Sequence, residues 1–153
     1  MIDPPSVTTS PPQVAAVIHL TIPRSEIQQV MGPALKELFA ALAAQGLQPA
    51  GPWFSHHLRF PPGTFDFEVG VPLSSSVVAV GRVMPGSLPA ARVARTILHG
   101  DYAGLAGAWG ELDAWARSQG HTPREDLWEV YLRGPESGAA PASWQTQLNR
   151  PLA

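Results

Sequence analysis

The sequence predicts one α+β domain built from two similar halves, each a strand, a helix and two further strands. Three observations lead there. β-branched runs and amphipathic runs follow one another in the same order twice. Residue identities recur between the two passes, and 153 residues with 44% apolar content supply one ordinary core but not two.

The first dozen residues include Pro4, Pro5, Ser6, Thr8, Thr9, Ser10, Pro11 and Pro12, too little apolar content to offset the entropy of ordering. A flexible tail is therefore expected over 1–12 and the domain over 13–153. Residues 14–21 are rich in β-branched side chains and predict the first strand, which Pro23 stops. Ile27, Val30, Met31, Ala34, Leu35, Leu38 and Leu42 recur at spacings of three and four, which places them on one helical face. Proline is tolerated in a first turn, so Pro33 sets the main helix at 33–45 after a short helical turn, and Gly46 ends it. Residues 53–58 and 64–71, separated by Pro61, Pro62 and Gly63, predict two antiparallel strands. Residues 77–83 and 91–98 predict the next two, around a loop at 85–89. Asp101 is placed to cap a second helix with the apolar face Leu105, Ala108, Trp109, Leu112, Trp115 and Ala116, which Gly120 closes. Residues 127–133 and 144–150 supply the last strand pair.

The two halves, at about 13–76 and 77–153, align residue by residue. Ala34-Leu35-Lys36-Glu37-Leu38 matches Ala108-Trp109-Gly110-Glu111-Leu112 at an offset of 74, and Gln45-Gly46 matches Gln119-Gly120 at the same offset. The offset carries Phe54, Ser55 and His57 onto Trp128, Glu129 and Tyr131; the final strands align at 79, through Val71-Pro72-Leu73 and Arg150-Pro151-Leu152. Two such halves pair most simply into one curved antiparallel sheet with both helices on one face and the other face free to bend around something.

Charge and composition narrow the chemistry. A formal net charge of −2 provides no electrostatic footprint for a phosphate backbone, so direct nucleic acid binding is not expected. The absence of cysteine removes disulfides and thiolate metal clusters and fits a cytoplasmic setting. No apolar run approaches the roughly 20 residues that span a bilayer, and no basic-then-apolar leader opens the chain. Neighbouring strand residues such as His56 and His57 point to opposite faces, and neither a Gly-x-Ser-x-Gly elbow nor a phosphate-binding glycine loop is present, so no metal or cofactor is predicted.

Alternation along residues 127–132 places Trp128, Val130 and Leu132 under the helices and Glu129 and Tyr131 on the opposite face. Strand interiors disfavour glutamate, and a solvated charge is the plain explanation of Glu129. The duplication argues for more, since the same parity brings Ser55 and His57, with Trp53 beside them, to that face, a polar and aromatic lining suited to planar organic molecules. The fold expected is thus two helices on one face of the sheet and a ligand pocket on the other. Glu68 shares the pocket face by its own strand's parity, with exposed strand charge as the alternative; Trp109 and Trp115 read as core, Trp109 with reach to the rim, and Trp144, which falls on Phe65 under the repeat, reads as core.

Three segments resemble the gyrase-inhibitor-like (GyrI-like) domains: Phe65-Asp66-Phe67-Glu68-Val69-Gly70-Val71-Pro72, His99-Gly100-Asp101-Tyr102, and Trp128-Glu129-Val130-Tyr131-Leu132-Arg133-Gly134-Pro135, in an order covering about 14–152. Such domains also serve as effector-binding parts of multidrug-responsive transcription regulators. The resemblance implies a pocket for lipophilic, often cationic compounds in which Glu129 meets the cation, Tyr131 is a pocket aromatic, and Tyr102 follows the glycine turn beside it. His57 stands where the family commonly has tyrosine, and Gln147 where it often has glutamate, which implies an altered ligand preference.

Two functions follow. The first is a stand-alone protein that senses or sequesters a hydrophobic or cationic small molecule in an aromatic pocket with an acidic anchor. The second, also implied by the resemblance, is a hydrolase of electrophilic, cyclopropane-containing natural products, with Glu129 activating water and Tyr131 holding the substrate. A protein partner such as gyrase rests on the family name alone.

Overall fold

The computed structural model describes residues 1–153. The chain forms two compact units, a C-terminal unit of Met1–Ser10 with Ala91–Ala153 and an N-terminal unit of Pro11–Ala90. The boundary lies at Ala90, later than the expected division after residue 76.

In the N-terminal unit, strand β2 (Gln13–Pro23) leads through a 3-10 turn into helix α1 (Ile27–Ala44), followed by β3 (Phe54–Arg59), β4 (Thr64–Pro72) and β5 (Met84–Leu88). The strands pair antiparallel in the order β3-β4-β2-β5. Helix α1 begins six residues before the expected start and carries Pro33 inside it. The proline removes one backbone donor, and the packing of Ile27, Val30, Met31, Ala34, Leu38 and Leu42 on the sheet compensates. On the sheet's helix side Ala16, Ile18 and Leu20 of β2 meet Phe67, Val69 and Val71 of β4.

In the C-terminal unit β1 (Ser6–Ser10), β6 (Ala91–His99), helix α2 (Leu105–Ser118), β7 (Leu127–Arg133) and β8 (Gln145–Pro151) follow one another, with strand order β1-β6-β8-β7, again antiparallel. Its core sets Ala94, Leu98, Leu148 and Leu152 of the sheet against Ala108, Leu112 and Ala116 of α2. Asp101 accepts a hydrogen bond from the Ala103 amide at 3.0 Å, the cap expected at the approach to α2.

Strand-helix-strand-strand order and the α+β class are as the sequence predicts, and the repeat extends to irregularities. The pairing register slips between His57 and Arg59 in one unit and between Tyr131 and Arg133 in the other, the same positions at the offset of 74. Two expectations fail. The segment expected to be a flexible tail contains β1, whose backbone pairs with β6 from Ser6↔Arg95 to Ser10↔Ala91; ladder hydrogen bonds order it, with Ile2 and Val7 packed against the core of that unit. Residues 77–83 form no strand, only an isolated Val80↔Val83 bridge around Gly81, whose φ of +57° turns the chain; the strand is β5, at Met84–Leu88, which takes up most of the expected loop. Gly86 permits this, since a Cβ there would lie 2.7 Å from a methyl of Val17.

Candidate functional site

Sequence parity placed Glu129 and Tyr131 on the face away from the helices, and the structure places them on the helix side. Glu129 pairs with Leu148, a core residue under α2, whereas Trp128 pairs with Asn149 on the opposite face. The expected pocket face is therefore reversed for these residues. The reversal has a physical source: bulk alone points Trp128 to the helix face, yet it is only 1% exposed on the other side, and Leu132 is exposed.

Glu129 is buried, and both its oxygens are engaged. The Trp109 indole Nε1 donates to Oε2 at 2.7 Å from α2, and the Tyr131 hydroxyl donates to Oε1 at 2.8 Å from two residues along β7. Trp109 is held in turn. The Arg150 guanidinium lies 5.2 Å from its ring centroid, and Arg150 is fixed by Asp113 at 2.9 Å and by carbonyls of residues 124–126. Burial pushes the Glu129 pKa up; hydrogen bonds from Trp109 and Tyr131 oppose that without cancelling it.

Aromatic rings extend the site. Tyr102 meets Tyr131 edge-on at 6.0 Å between centroids and lies tilted against Trp144 at 4.9 Å. Trp144 donates its indole hydrogen to the Ala139 carbonyl at 2.9 Å, tying in the 135–143 loop. The hydroxyls of Tyr102 and of Thr146, which is opposite Tyr131 in the ladder, are buried without a hydrogen-bond partner. Burial and then the charges of Glu136 and Glu129 raise the Tyr102 pKa to about 12. Gly134 leaves the Tyr102 hydroxyl its room: a Cβ there would stand 2.8 Å from that oxygen.

The C-terminal unit thus brings together Glu129, Tyr131, Tyr102 and Trp109 of the predicted set and adds Trp144 and Thr146. Trp144, expected in the core, belongs to the ring cluster instead. Parity from Leu148 back through Thr146 to residue 144 is the sequence signal that could have found it. Gln147 pairs with Val130 and sits on the other face from Glu129.

The N-terminal unit holds Trp53, Ser55, His57 and Glu68. Ser55 and His57 pair with the core residues Val69 and Phe67 on the helix side, and Trp53 packs against that core. Glu68 pairs with His56 and His19 on the opposite face, so it does not share a face with Ser55 and His57 as expected. The His57 ring stacks on Phe67 at 5.0 Å and Phe60 at 5.9 Å and meets Phe65 edge-on at 5.4 Å. Burial, with smaller contributions from His56 and Arg24, lowers its pKa to about 4, so it is neutral at physiological pH. A separate crevice of about 390 Å³ in this unit, lined mainly by Ala40, Ala41, Ala44, Val80 and Val83, contains none of the predicted site residues. No helix is long and apolar enough to cross a membrane.

The chain belongs to the GyrI-like small molecule binding domain family, whose model matches residues 3–152. Among solved structures, the EcmrR C-terminal domain superposes with a TM-score of 0.86 at 19% identity, covering 98% of this chain and 97% of that one. Against the EcmrR chain in its complex with DNA the TM-score is 0.84 at 19% identity, over 97% of this chain, which spans only 57% of that chain's length. A hydrolase from Listeria innocua superposes at 0.70 with 13% identity, covering 97% and 91% of the two chains. SAV2435 bound to tetraphenylphosphonium superposes at 0.66 with 12% identity, over 99% and 94%. No curated protein sequence matches the chain.

Proposed function

We propose that the chain binds lipophilic cations, with Glu129 as the charge that meets them and the rings of Tyr102, Tyr131 and Trp144 as the apolar and quadrupolar surround. The observation that carries this reading is the buried Glu129 carboxylate, which has two neutral donors and no cationic side chain in its hydrogen-bond set. A carboxylate so placed is costly to ionise, and a cation entering beside it repays that cost. Since Trp109 and Tyr131 already occupy one position on each oxygen, a delocalised or quaternary cation that needs charge more than a hydrogen-bond acceptor suits the site best. SAV2435, a protein of the same fold, is seen with such a cation.

Tetraphenylphosphonium titrated calorimetrically into wild type and Glu129→Gln tests the reading. Truncating one member of a desolvated charge pair costs about 2–5 kcal/mol, so the variant is expected to lose roughly 30-fold or more in affinity. Cation binding favours the ionised carboxylate and lowers its raised pKa, so wild-type affinity should fall on acidification while the residual affinity of Glu129→Gln stays flat. Equal affinities in the two proteins would overturn the assignment. Both Glu129 oxygens being held by donors favours an electrostatic anchor over a water-activating base. Recovering a cyclopropane-containing probe in hydrated form after incubation would reverse that preference.

A further inference from the structure

The sheet of the C-terminal unit has a second face, turned away from α2, with its own polar arrangement. Arg95, Asn149 and Trp128 stand side by side across β6, β8 and β7, and Ile97, Gln147 and Val130 form the next row. Arg95 donates from Nε to the Asn149 Oδ1 at 2.6 Å and from Nη2 to the Ser10 hydroxyl at 3.4 Å; Asn149 Nδ2 donates to Gln147 Oε1 at 3.1 Å.

The direction of this chain is forced. Arginine only donates, so the Asn149 oxygen must face it; the Asn149 amide hydrogens then face Gln147, whose oxygen accepts, leaving the Gln147 NH₂ pointing onward. The amide oxygens are thus used inside the network, and the groups left over are N–H donors on a cation and an amide. Arg59, Arg82 and Arg150 each hold a carboxylate, whereas half-buried Arg95 is paired with neutral oxygens. Burial lowers its pKa accordingly.

The fold does not require these residues. The matching ladder positions of the N-terminal unit, counted from Ala15↔Pro72 as from Val93↔Pro151, are Val17 for Arg95, Gly70 for Asn149 and Glu68 for Gln147. The same register is therefore built there without a cation, and with a carboxylate where the C-terminal unit has an amide.

We propose that this face is a second binding site, in which Arg95 and the Gln147 amide bind the carboxylate of a small organic acid whose apolar body rests on Ile97 and Val130. An anion supplies only acceptors, which is what a set of unused donors selects, and a guanidinium offers it a two-pronged grip. Ile97 and Val130, partly buried on either side of Gln147, favour an acid with a hydrocarbon body over inorganic phosphate. The site is independent of the Glu129 reading, because it lies on the other face of the sheet.

Sodium benzoate titrated into the full ¹⁵N-labelled chain at fixed ionic strength tests this by NMR. Saturable shifts are expected at the Arg95 Nε–H and the Gln147 side-chain amide, with sodium chloride and sodium phosphate giving none. Gln147→Glu sets a carboxylate beside the guanidinium and is tolerated at the matching position as Glu68, so it should lower benzoate affinity at least tenfold in a folded protein. Arg95→Lys keeps the charge but loses the planar fork and should weaken binding by a smaller factor. Shifts linear in benzoate, equal shifts with chloride or phosphate, saturation only at the Trp109 and Trp144 indoles, or wild-type affinity in Gln147→Glu would each overturn the proposal.

Discussion

The two units share a ladder, a helix and a bulge, yet matching positions hold different chemistry. Where the C-terminal unit has Glu129, Tyr131 and Trp109, the N-terminal unit has Ser55, His57 and Leu35 at the same offset of 74. Where one sets a carboxylate among aromatic donors, the other packs a neutral imidazole among Phe60, Phe65 and Phe67. The two units thus keep the same backbone geometry, which depends on hydrogen bonds that any residue supplies, and differ in the side chains that face the helices. The units differ in ion pairs too. Buried Asp66 accepts from His19 at 2.5 Å and Arg59 at 2.9 Å, while the neutral Gln145 takes its ladder position in the other unit.

The largest test of this comparison is to make one unit imitate the other at a crowded position. Gly70 pairs with Phe54 as Asn149 pairs with Trp128, but a Cβ on Gly70 would come within 2.3 Å of the Phe54 ring. Gly70→Asn is expected to destabilise the protein by about 3 kcal/mol or more in urea unfolding, the upper range for overpacking, and an effect below about 1 kcal/mol would mean the two faces are interchangeable.

A second test uses pH. The folded His57 pKa of about 4 lies below its ordinary 6.5, so between those values the unfolded chain takes up a proton that the folded one refuses. Stability from this group is complete above pH 6.5 and is lost as pH falls to 4, on the order of 3 kcal/mol at most. Glu129, with its pKa raised, works in the opposite sense: it costs stability at neutral pH and the cost is relieved as the carboxyl protonates. Chemical denaturation of His57→Phe across that range should show a shallower acid loss than wild type, and an identical slope would place the imidazole in water.

The smallest effect concerns the Glu129 support. Trp109→Phe keeps an aromatic face for Arg150 but removes the pyrrole half of the indole with its donor at 2.7 Å, and losing a hydrogen bond to a charged group alone costs about 1.5–3 kcal/mol. Removing a donor to the ionised form should move the Glu129 pKa further up, which an NMR titration of its carboxyl carbon reads directly. An unmoved pKa would show that Tyr131 alone fixes the carboxylate.

Element order and the offset of 74 were legible in the sequence, because periodicity and repeated identities are local signals, and so were Glu129, Tyr131 and Trp109; Tyr102 came through the family resemblance, while Trp144 and Thr146 emerged only from the structure. Alternation along residues 127–132 likewise separated Glu129 and Tyr131 from Trp128 and Val130. What alternation lacks is an origin: it sorts side chains into two faces without saying which one a helix covers, and the structure exchanges the faces expected for Trp128 and Glu129. That choice belongs to the packing of α2, where Trp109 reaches Glu129 and Leu148 closes the core beside it. The strands β1 and β5 were hidden for a related reason. Each pairs with a strand distant in sequence, β1 with β6 and β5 with β2, and neither with the strand that follows it. Proline-rich composition correctly reports that such segments gain little by ordering themselves. Only the tertiary ladder supplies the partners that order them.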